Sequence, residues 1–187
     1  MQNIFLDSCV WISYVWQTQF TNKAKKESAS TSVIKKIDGD NNFQIILSPF
    51  LISEISSHFR DWYNMQKAIK DGYSYRDFTR VKKDYELTDK EVEKIDDIII
   101  KIGGIENVNV LLPENIKKED IETILNYEVK YQFDFYDALH VFVAMKNKCK
   151  YFITTDTPLR KCIAKLNHGA QKIESLPPKS FEKIINS

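Results

Sequence analysis

The stretch FYDALHVFVAMKNKCKYFITTD, residues 135–156, decides the fold class of this chain. It predicts a helix that is apolar on almost all sides, from about Phe135 to Lys148, followed by a short apolar run at 151–155. A helix that is apolar all round is buried in its domain, and a short apolar run is typical of a buried parallel strand. A buried helix that leads directly into such a strand favours an α/β protein with a parallel sheet.

The same alternation of strands and helices continues on both sides of this stretch. The sequence also predicts strands at 3–7, 43–47 and 107–112. It predicts helices at 8–16, 117–131 and 157–166, together with one helix that begins within 17–32 and ends near 37 and one that begins at 48. Serine and proline at 48–49 are a typical helix start, and a last short strand is predicted between 171 and the double proline at 177–178. The order of these elements indicates a three-layer α/β/α domain with a central parallel sheet.

The middle of the chain, about 61–106, shows no strand pattern. Two or three helices are predicted there, one of them opened by a capping box at Thr88 and Glu91. We therefore expect residues 1–187 to form a single domain that carries a helical insertion at about 61–106.

Composition narrows the classes of function. The 27 Lys and Arg residues are almost balanced by 26 Asp and Glu, so the basic excess common in nucleic-acid binders is absent, although a local basic stripe would suffice. The three cysteines show no metal-ligand spacing, which indicates a reducing compartment and no structural zinc. No apolar run approaches a membrane span and no signal-peptide pattern is present, so we expect a cytoplasmic protein without membrane association.

Four carboxylates carry the strongest functional signal. Asp7 and Asp156 each end an apolar strand run, where open parallel sheets place their ligands. Glu54 and Asp137 lie in helices whose neighbouring positions are apolar, where a lone carboxylate is costly unless it is paired, protonated or bound to a cation. Four converging acids would suit a hard cation, Mg²⁺ or Mn²⁺.

Each acid also has an ordinary structural alternative. Asp7 and Asp156 suit helix N-caps, and Glu54 could extend to water from the edge of its helix. Asp137 could simply favour the positive end of its helix dipole, although Asp134 is the better cap there and leaves Asp137 free for a metal.

This pattern resembles the PIN-domain nucleases. The resemblance is carried by Leu6-Asp7-Ser8, by Ser53-Glu54-Ile55, and by YDALHVFVA at 136–144 followed by FITTD at 152–156, and it covers roughly 1–60 and 107–175. It implies a PIN-like α/β fold and a metal-dependent endoribonuclease in which Asp7, Glu54, Asp137 and Asp156 are catalytic residues and direct or water-mediated ligands of Mg²⁺ or Mn²⁺.

The resemblance also implies partners. Small PIN proteins are often VapC-like toxins, so it points to an RNA substrate, an antitoxin or inhibitor protein, and a homodimer. The segment at about 61–106 has no counterpart in the compact toxin-type members. Which acid orients the attacking water, and whether one or two ions bind, stays open.

Several side chains are candidates for substrate contact. The hydroxyls of Ser8 and Thr154 could position a phosphate or ligand, and Arg160 and Lys161, just beyond Asp156, could meet a substrate phosphate. The stretch from Tyr73 to Lys83 interleaves aromatic and basic residues, as single-stranded RNA binders do, but an amphipathic helix explains it better. His58 and His140 are interpreted as core or rim histidines, because Mg²⁺ prefers oxygen ligands.

Two other functions remain open. One is a phosphohydrolase in which a strand-end aspartate is the nucleophile, although Asp7 is not followed by a second aspartate two residues on. The other is a PIN-like scaffold that binds RNA or protein without cutting. Four intact acids favour the nuclease over the scaffold.

Overall fold

The fold is built on one five-stranded sheet in which every strand pair is parallel. The computed structural model describes residues 1–21, 26–111, 117–166 and 172–186. The strand order is β3-β2-β1-β4-β5. The strands are β1 (Gln2–Leu6), β2 (Phe43–Leu47), β3 (Val108–Val110), β4 (Tyr151–Ile153) and β5 (Glu174–Leu176). Ile4 pairs with Ile45 on one side and with Tyr151 on the other, which fixes β1 at the centre.

Helices flank this sheet. They are α1 (Ser8–Val15), α2 (Ala29–Ile37), α3 (Pro49–Lys70), α4 (Tyr75–Val81), α5 (Asp89–Gly103), α6 (Lys118–Tyr131), α7 (Phe135–Lys146), α8 (Thr157–Leu166) and α9 (Pro178–Ile185). A π-helical turn, Trp16–Phe20, extends α1, and a 3₁₀ turn, Lys82–Asp84, extends α4. The arrangement confirms the predicted α/β class and the central parallel sheet between helical layers. Within the described residues, no helix combines the length and apolarity needed to cross a membrane.

Local sequence explains where several helices begin. The Ser48 hydroxyl oxygen accepts the Leu51 N–H at 3.2 Å, with proline in the first helical position of α3. The predicted capping box forms at the start of α5, where the Glu91 carboxylate accepts the Thr88 N–H at 2.8 Å. These contacts satisfy N–H groups that have no partner inside the helix.

The elements differ in detail from the prediction. Helix α1 is capped by Asp7, which was predicted to suit an N-cap, and Ser8 is its first helical residue. The buried stripe of α3 is Leu51, Ile55 and Phe59, and His58 is exposed, so of the two positions considered for it the rim is the one observed. Helix α9 was not predicted.

The last elements show why α9 is part of the core. Phe181 is fully buried between Phe43 and Tyr151, with ring centroids 5.4 and 5.1 Å away, so α9 closes one side of the sheet. The predicted strand before it is β5, and position 171, where that strand was expected to begin, lies outside the described residues. The same holds for position 112 of the predicted third strand.

The segment 61–106 consists of helices joined by turns, as predicted. Helix α3 runs on to Lys70 without a break, and α5 buries Ile95, Ile98 and Ile102 in the main core. Lys67 of α3 donates to the carboxylate of Glu91 in α5 at 2.6 Å. Helices α3 and α5 of this segment are therefore packed on the domain and share its core.

Candidate active site

The order of the strands creates a crevice between β1 and β4. The chain moves from β1 through β2 to β3 at one edge and then returns to β4 on the other side of β1. In open α/β sheets, ligands bind outside the carboxyl ends of the strands at such a reversal. Asp7 directly follows β1, and Thr154 directly follows β4. The Asp7 N–H donates to the Ile153 carbonyl at 2.9 Å, which ties the two strand ends together.

Asp7 is the most constrained acid of the site. Only 5% of it is exposed. One carboxylate oxygen accepts the Ser8 N–H at 2.8 Å, and the other accepts the Thr154 hydroxyl at 2.5 Å and the Cys9 thiol at 3.2 Å. A buried carboxylate needs such donors to remain charged, so the orientation of Asp7 is set by its neighbours.

Thr154 connects Asp7 to Asp156. Its hydroxyl donates to Asp7 and accepts the Asp156 N–H at 2.9 Å. The side chain is fully buried, so its position suits the orientation of Asp7 and not the direct substrate contact that was predicted. Asp156 is exposed and accepts the Leu159 N–H at 2.8 Å, which makes it the cap of α8 as well as a strand-end acid.

Glu54 is held by two neighbours at the start of α3. One carboxylate oxygen accepts the Ser8 hydroxyl at 3.0 Å, and the other lies 2.6 Å from Nε2 of His140. Burial pushes the pKa of Glu54 upward, but hydrogen bonds from His140 and Ser8 and the charge of nearby His58 outweigh it, so the pKa is lowered. The Ser8 hydroxyl, predicted to contact substrate, therefore positions Glu54.

Asp137 has the opposite electrostatic environment. It lies half-buried in the first turn of α7, where Asp134 accepts its N–H at 2.8 Å and takes the capping role, as predicted. Burial, followed by the negative charges of Asp134, Asp7 and Asp156, raises the pKa of Asp137 to about 7, with His140 acting in the other direction. Asp7 and Asp156 thus lie close enough to Asp137 to disfavour its charged form.

The four predicted acids therefore gather around the carboxyl ends of β1 and β4. Asp7, Glu54 and Asp156 each accept a hydrogen bond from within the chain. In the part of the chain that the structure describes, no group of three or more His, Cys, Asp or Glu side chains is arranged to hold a metal ion. The donor chemistry nevertheless fits a hard cation, because a carboxylate oxygen that accepts one hydrogen bond, as Oδ1 of Asp7 does, keeps a second lone pair. A cation would also relieve the repulsion that raises the pKa of Asp137.

The two basic candidates lie one turn into α8. Arg160 donates to the Thr157 hydroxyl oxygen at 2.8 Å, and its backbone N–H donates to the Asp156 carbonyl at 3.2 Å. Lys161 is exposed. Both lie near Asp156 in the chain, and within the described residues no hydrogen bond or ion pair joins either of their side chains to the four acids.

Other sequence features have structural explanations. Helix α4 occupies most of the aromatic and basic stretch from Tyr73 to Lys83, with Phe78 buried and Tyr75 largely exposed, as an amphipathic helix requires. Two residues close to the acids were not predicted as part of the site. His140 was interpreted as a core or rim histidine, and Cys9 was given no role beyond its lack of metal-ligand spacing.

A sequence signal existed for only one of these two residues. His140 follows Asp137 by three positions, which places both on one face of α7. Cys9 carried no such signal. Burial and then the charge of Asp7 raise the pKa of its thiol to about 11, so Cys9 is a neutral hydrogen-bond donor here.

No protein-family model matches this chain, and no curated protein matches it. The functional conclusion therefore depends on the site itself.

Proposed function

We propose that this protein is a metal-dependent endoribonuclease that hydrolyses RNA phosphodiester bonds at Asp7, Glu54, Asp137 and Asp156. The observation that carries the proposal is the gathering of the four acids at the reversal point of a parallel sheet, where burial and the charges of Asp134, Asp7 and Asp156 raise the pKa of Asp137 to about 7. A purely structural acid in the first turn of a helix would have its pKa lowered by the helix dipole. Strongly shifted acids in a crevice are typical of functional sites.

The four acids would hold Mg²⁺ or Mn²⁺, directly or through water, since all of them offer oxygen donors. When bound, such an ion supplies an activated water and stabilises negative charge on the phosphoryl oxygens.

The chain's own residues would prepare this site. Thr154 orients Asp7, while Ser8 and His140 orient Glu54. Asp137, whose pKa is raised by burial and by the neighbouring acids, would be held in its charged form by a cation bound beside it. Arg160 and Lys161 would supply positive charge for the phosphates of the substrate beyond Asp156.

The competing phosphohydrolase function is less well supported by the surroundings of Asp7. A nucleophilic aspartate must offer one free oxygen to phosphorus. Both oxygens of Asp7 accept hydrogen bonds from the chain, and the side chain is almost completely buried. A metal ligand also needs a free lone pair, so the preference for the nuclease comes from the other acids near Asp7 and from the lack of a second aspartate two residues after it.

A ribonuclease of this kind would also need control. We extend the proposal to an antitoxin or inhibitor protein as partner, to a homodimer as the active form and to the cytoplasm as its location, on the basis of the resemblance to small PIN proteins. Purification of the chain together with its native neighbours, followed by mass spectrometry of any bound protein, tests the partner.

The decisive experiment is incubation of purified protein with total RNA in Mg²⁺, in Mn²⁺ and in EDTA, beside the Asp137→Asn variant. Asp97→Asn, on the exposed face of α5, is a matched control for loss of one charge. We expect metal-dependent cleavage by the wild type and the control and none by Asp137→Asn. If the wild type neither cleaves RNA nor gains thermal stability from either metal, the protein is a scaffold.

A further inference from the structure

Cys9 lies among the acids of the candidate site but takes no part in the proposed reaction. Its side chain is partly buried at the start of α1, two positions after Asp7. The thiol donates to Oδ2 of Asp7 at 3.2 Å and accepts the Thr155 N–H at 3.3 Å. Cys9 therefore links the end of β1 to the residues that follow β4.

The two carboxylate oxygens of Asp7 differ in the number of donors they meet. Oδ2 accepts the Thr154 hydroxyl at 2.5 Å and the Cys9 thiol at 3.2 Å. Oδ1 accepts one donor within the described residues, the Ser8 N–H at 2.8 Å. An ionised carboxylate has about four lone-pair positions, shared equally by its two oxygens. Both positions on Oδ2 are therefore occupied, and the position that stays open is on Oδ1.

A carboxylate with one open position can offer a metal ion one oxygen and not two. Mg²⁺ is small, requires nearly ideal octahedral geometry and keeps several of its waters, so single carboxylate oxygens suit it. Ca²⁺ takes roughly six to eight ligands in a flexible geometry and often binds both oxygens of one carboxylate. The two hydrogen bonds at Oδ2 of Asp7 should therefore favour the smaller ion.

We propose that Cys9 is a positioning residue that makes the site select Mg²⁺ or Mn²⁺ over Ca²⁺, because its thiol occupies the second lone pair of Asp7 Oδ2. Together with Thr154, it holds the carboxylate so that Oδ1 alone is open to a cation. This inference rests on the proposed function, since it concerns the metal ion of that same site, and it adds the residue that determines which ion binds.

Two other roles for Cys9 agree less well with its contacts. As a metal ligand it would suit a soft ion, whereas the neighbouring acids suit a hard one, and its sulfur already donates to Asp7 and accepts the Thr155 N–H. A packing role would need no polar contacts, yet the thiol also lies 3.5 Å from the Thr154 hydroxyl. Thr154 supplies one of the two donors at Oδ2, so it does not close that oxygen alone.

The test measures metal binding directly. Full-length protein is titrated with Mg²⁺, Mn²⁺ and Ca²⁺ by isothermal titration calorimetry at constant pH, and the ratio of the Ca²⁺ and Mg²⁺ dissociation constants is the readout. Cys9→Ala removes the thiol donor, and Cys9→Ser keeps a donor. Thr154→Val removes the other donor to Oδ2 in a side chain of similar shape. Cys162→Ala is the matched control, because within the described residues this cysteine of α8 makes no hydrogen bond to the acids.

We expect the wild type to bind Mg²⁺ more tightly than Ca²⁺, and Cys9→Ala to lower this preference roughly tenfold, the effect typical of losing the partner of a metal ligand. Cys9→Ser and Cys162→Ala should keep the preference. Thr154→Val should lower it as Cys9→Ala does, because it also opens a lone pair on Oδ2. Thr154→Val thus tests the same inference if Cys9→Ala does not fold.

The inference is overturned if the folded variants that lack a donor to Oδ2 keep the wild-type ratio, or if Cys162→Ala changes the ratio equally. An equal loss in Cys9→Ser and Cys9→Ala also overturns it, since the effect would then come from packing. Equal affinity of the wild type for Mg²⁺ and Ca²⁺ has the same consequence. These results leave the proposed nuclease standing, because RNA cleavage tests it separately. If no ion binds to the wild type, the metal site and this inference both fail.

Discussion

Asp137 should make the protein less stable as the pH rises. Its folded-state pKa of about 7 lies above the ordinary value of 3.8, so the folded protein favours the protonated form, and stability is lost between about pH 4 and pH 7. Asp137→Asn removes this loss. A shift of this size is worth about 4 kcal/mol at about 1.4 kcal/mol per pKa unit, and partial solvent contact reduces our expectation to about 1–2 kcal/mol.

Urea unfolding at pH 4 and pH 8 measures this effect. Asp137→Asn should match the wild type at pH 4 and exceed its free energy of unfolding at pH 8, while the control Asp97→Asn should not. Equal stabilities at pH 8 would mean that Asp137 is not held in a repulsive site. Mg²⁺ should raise the melting temperature of the wild type more than that of the variant, because binding to the folded state stabilises it.

Glu54 should contribute a pH dependence of stability that is opposite in sign to that of Asp137. Its pKa is lowered in the folded state, so its charged form contributes stability above the ordinary carboxyl pKa, and this stability is lost as the pH falls through the folded-state value. Glu54→Gln should cost about 1 kcal/mol at pH 7, since hydrogen bonds to a partly exposed charge are modest. The same urea titrations should show the difference shrinking in acid. A difference that grows in acid would contradict the role of His140.

The residues of the site differ in how far the sequence could foretell them. Asp7 was predictable because a strand run fixes the next residue at the sheet edge, and Asp156 because it lies only three positions beyond the end of β4. Their partners were not, because Thr154 lies 147 positions from Asp7, and His140 lies 86 positions from Glu54. Local patterns carry no information about which hydroxyl or imidazole meets which carboxylate across such separations.

At the scale of the elements, the helical segment 61–106 should be essential to the fold. Ile98 of α5 is fully buried in the main core, whereas Ile100, two positions on, is 70% exposed. Ile98→Ala should therefore reduce the free energy of unfolding by about 2–5 kcal/mol, and Ile100→Ala by less than about 0.5 kcal/mol. Urea unfolding measures both, and equal small effects would show that α5 folds apart from the sheet.

The sequence predicted the helices and strands correctly where the local signals, such as helix caps and apolar runs, were strong. Helix α3 was marked by Ser48 and Pro49, and the strands by continuous apolar runs. Helix α9 was missed because the double proline before it was interpreted as an end signal, although proline also opens helices. The apolar face of α9 is buried by α2 and the sheet, as the buried Phe181 shows, and the local sequence does not predict these long-range contacts.

The chain as a whole carries a net charge of only +1, which limits how it can hold RNA. Its composition has no excess of basic residues, so we expect binding to depend on a few phosphate contacts, Arg160 and Lys161 among them. For single strands the logarithm of affinity falls with the logarithm of salt by about 0.7 per contacted phosphate. Two or three contacts predict a slope of about −2 for Asp137→Asn protein in metal-free buffer.

Fluorescence anisotropy across a range of KCl concentrations measures this slope. Lys161→Ala should make it shallower by about 0.7, because one phosphate contact is lost. Lys90→Ala, which removes an exposed lysine at the start of α5, should leave the slope unchanged although it alters the net charge equally. A slope steeper than about −5, or an equal effect of both substitutions, would mean that RNA is held by diffuse charge. A local slope change at Lys161 would place the phosphate path beside Asp156, where the proposed cleavage requires it.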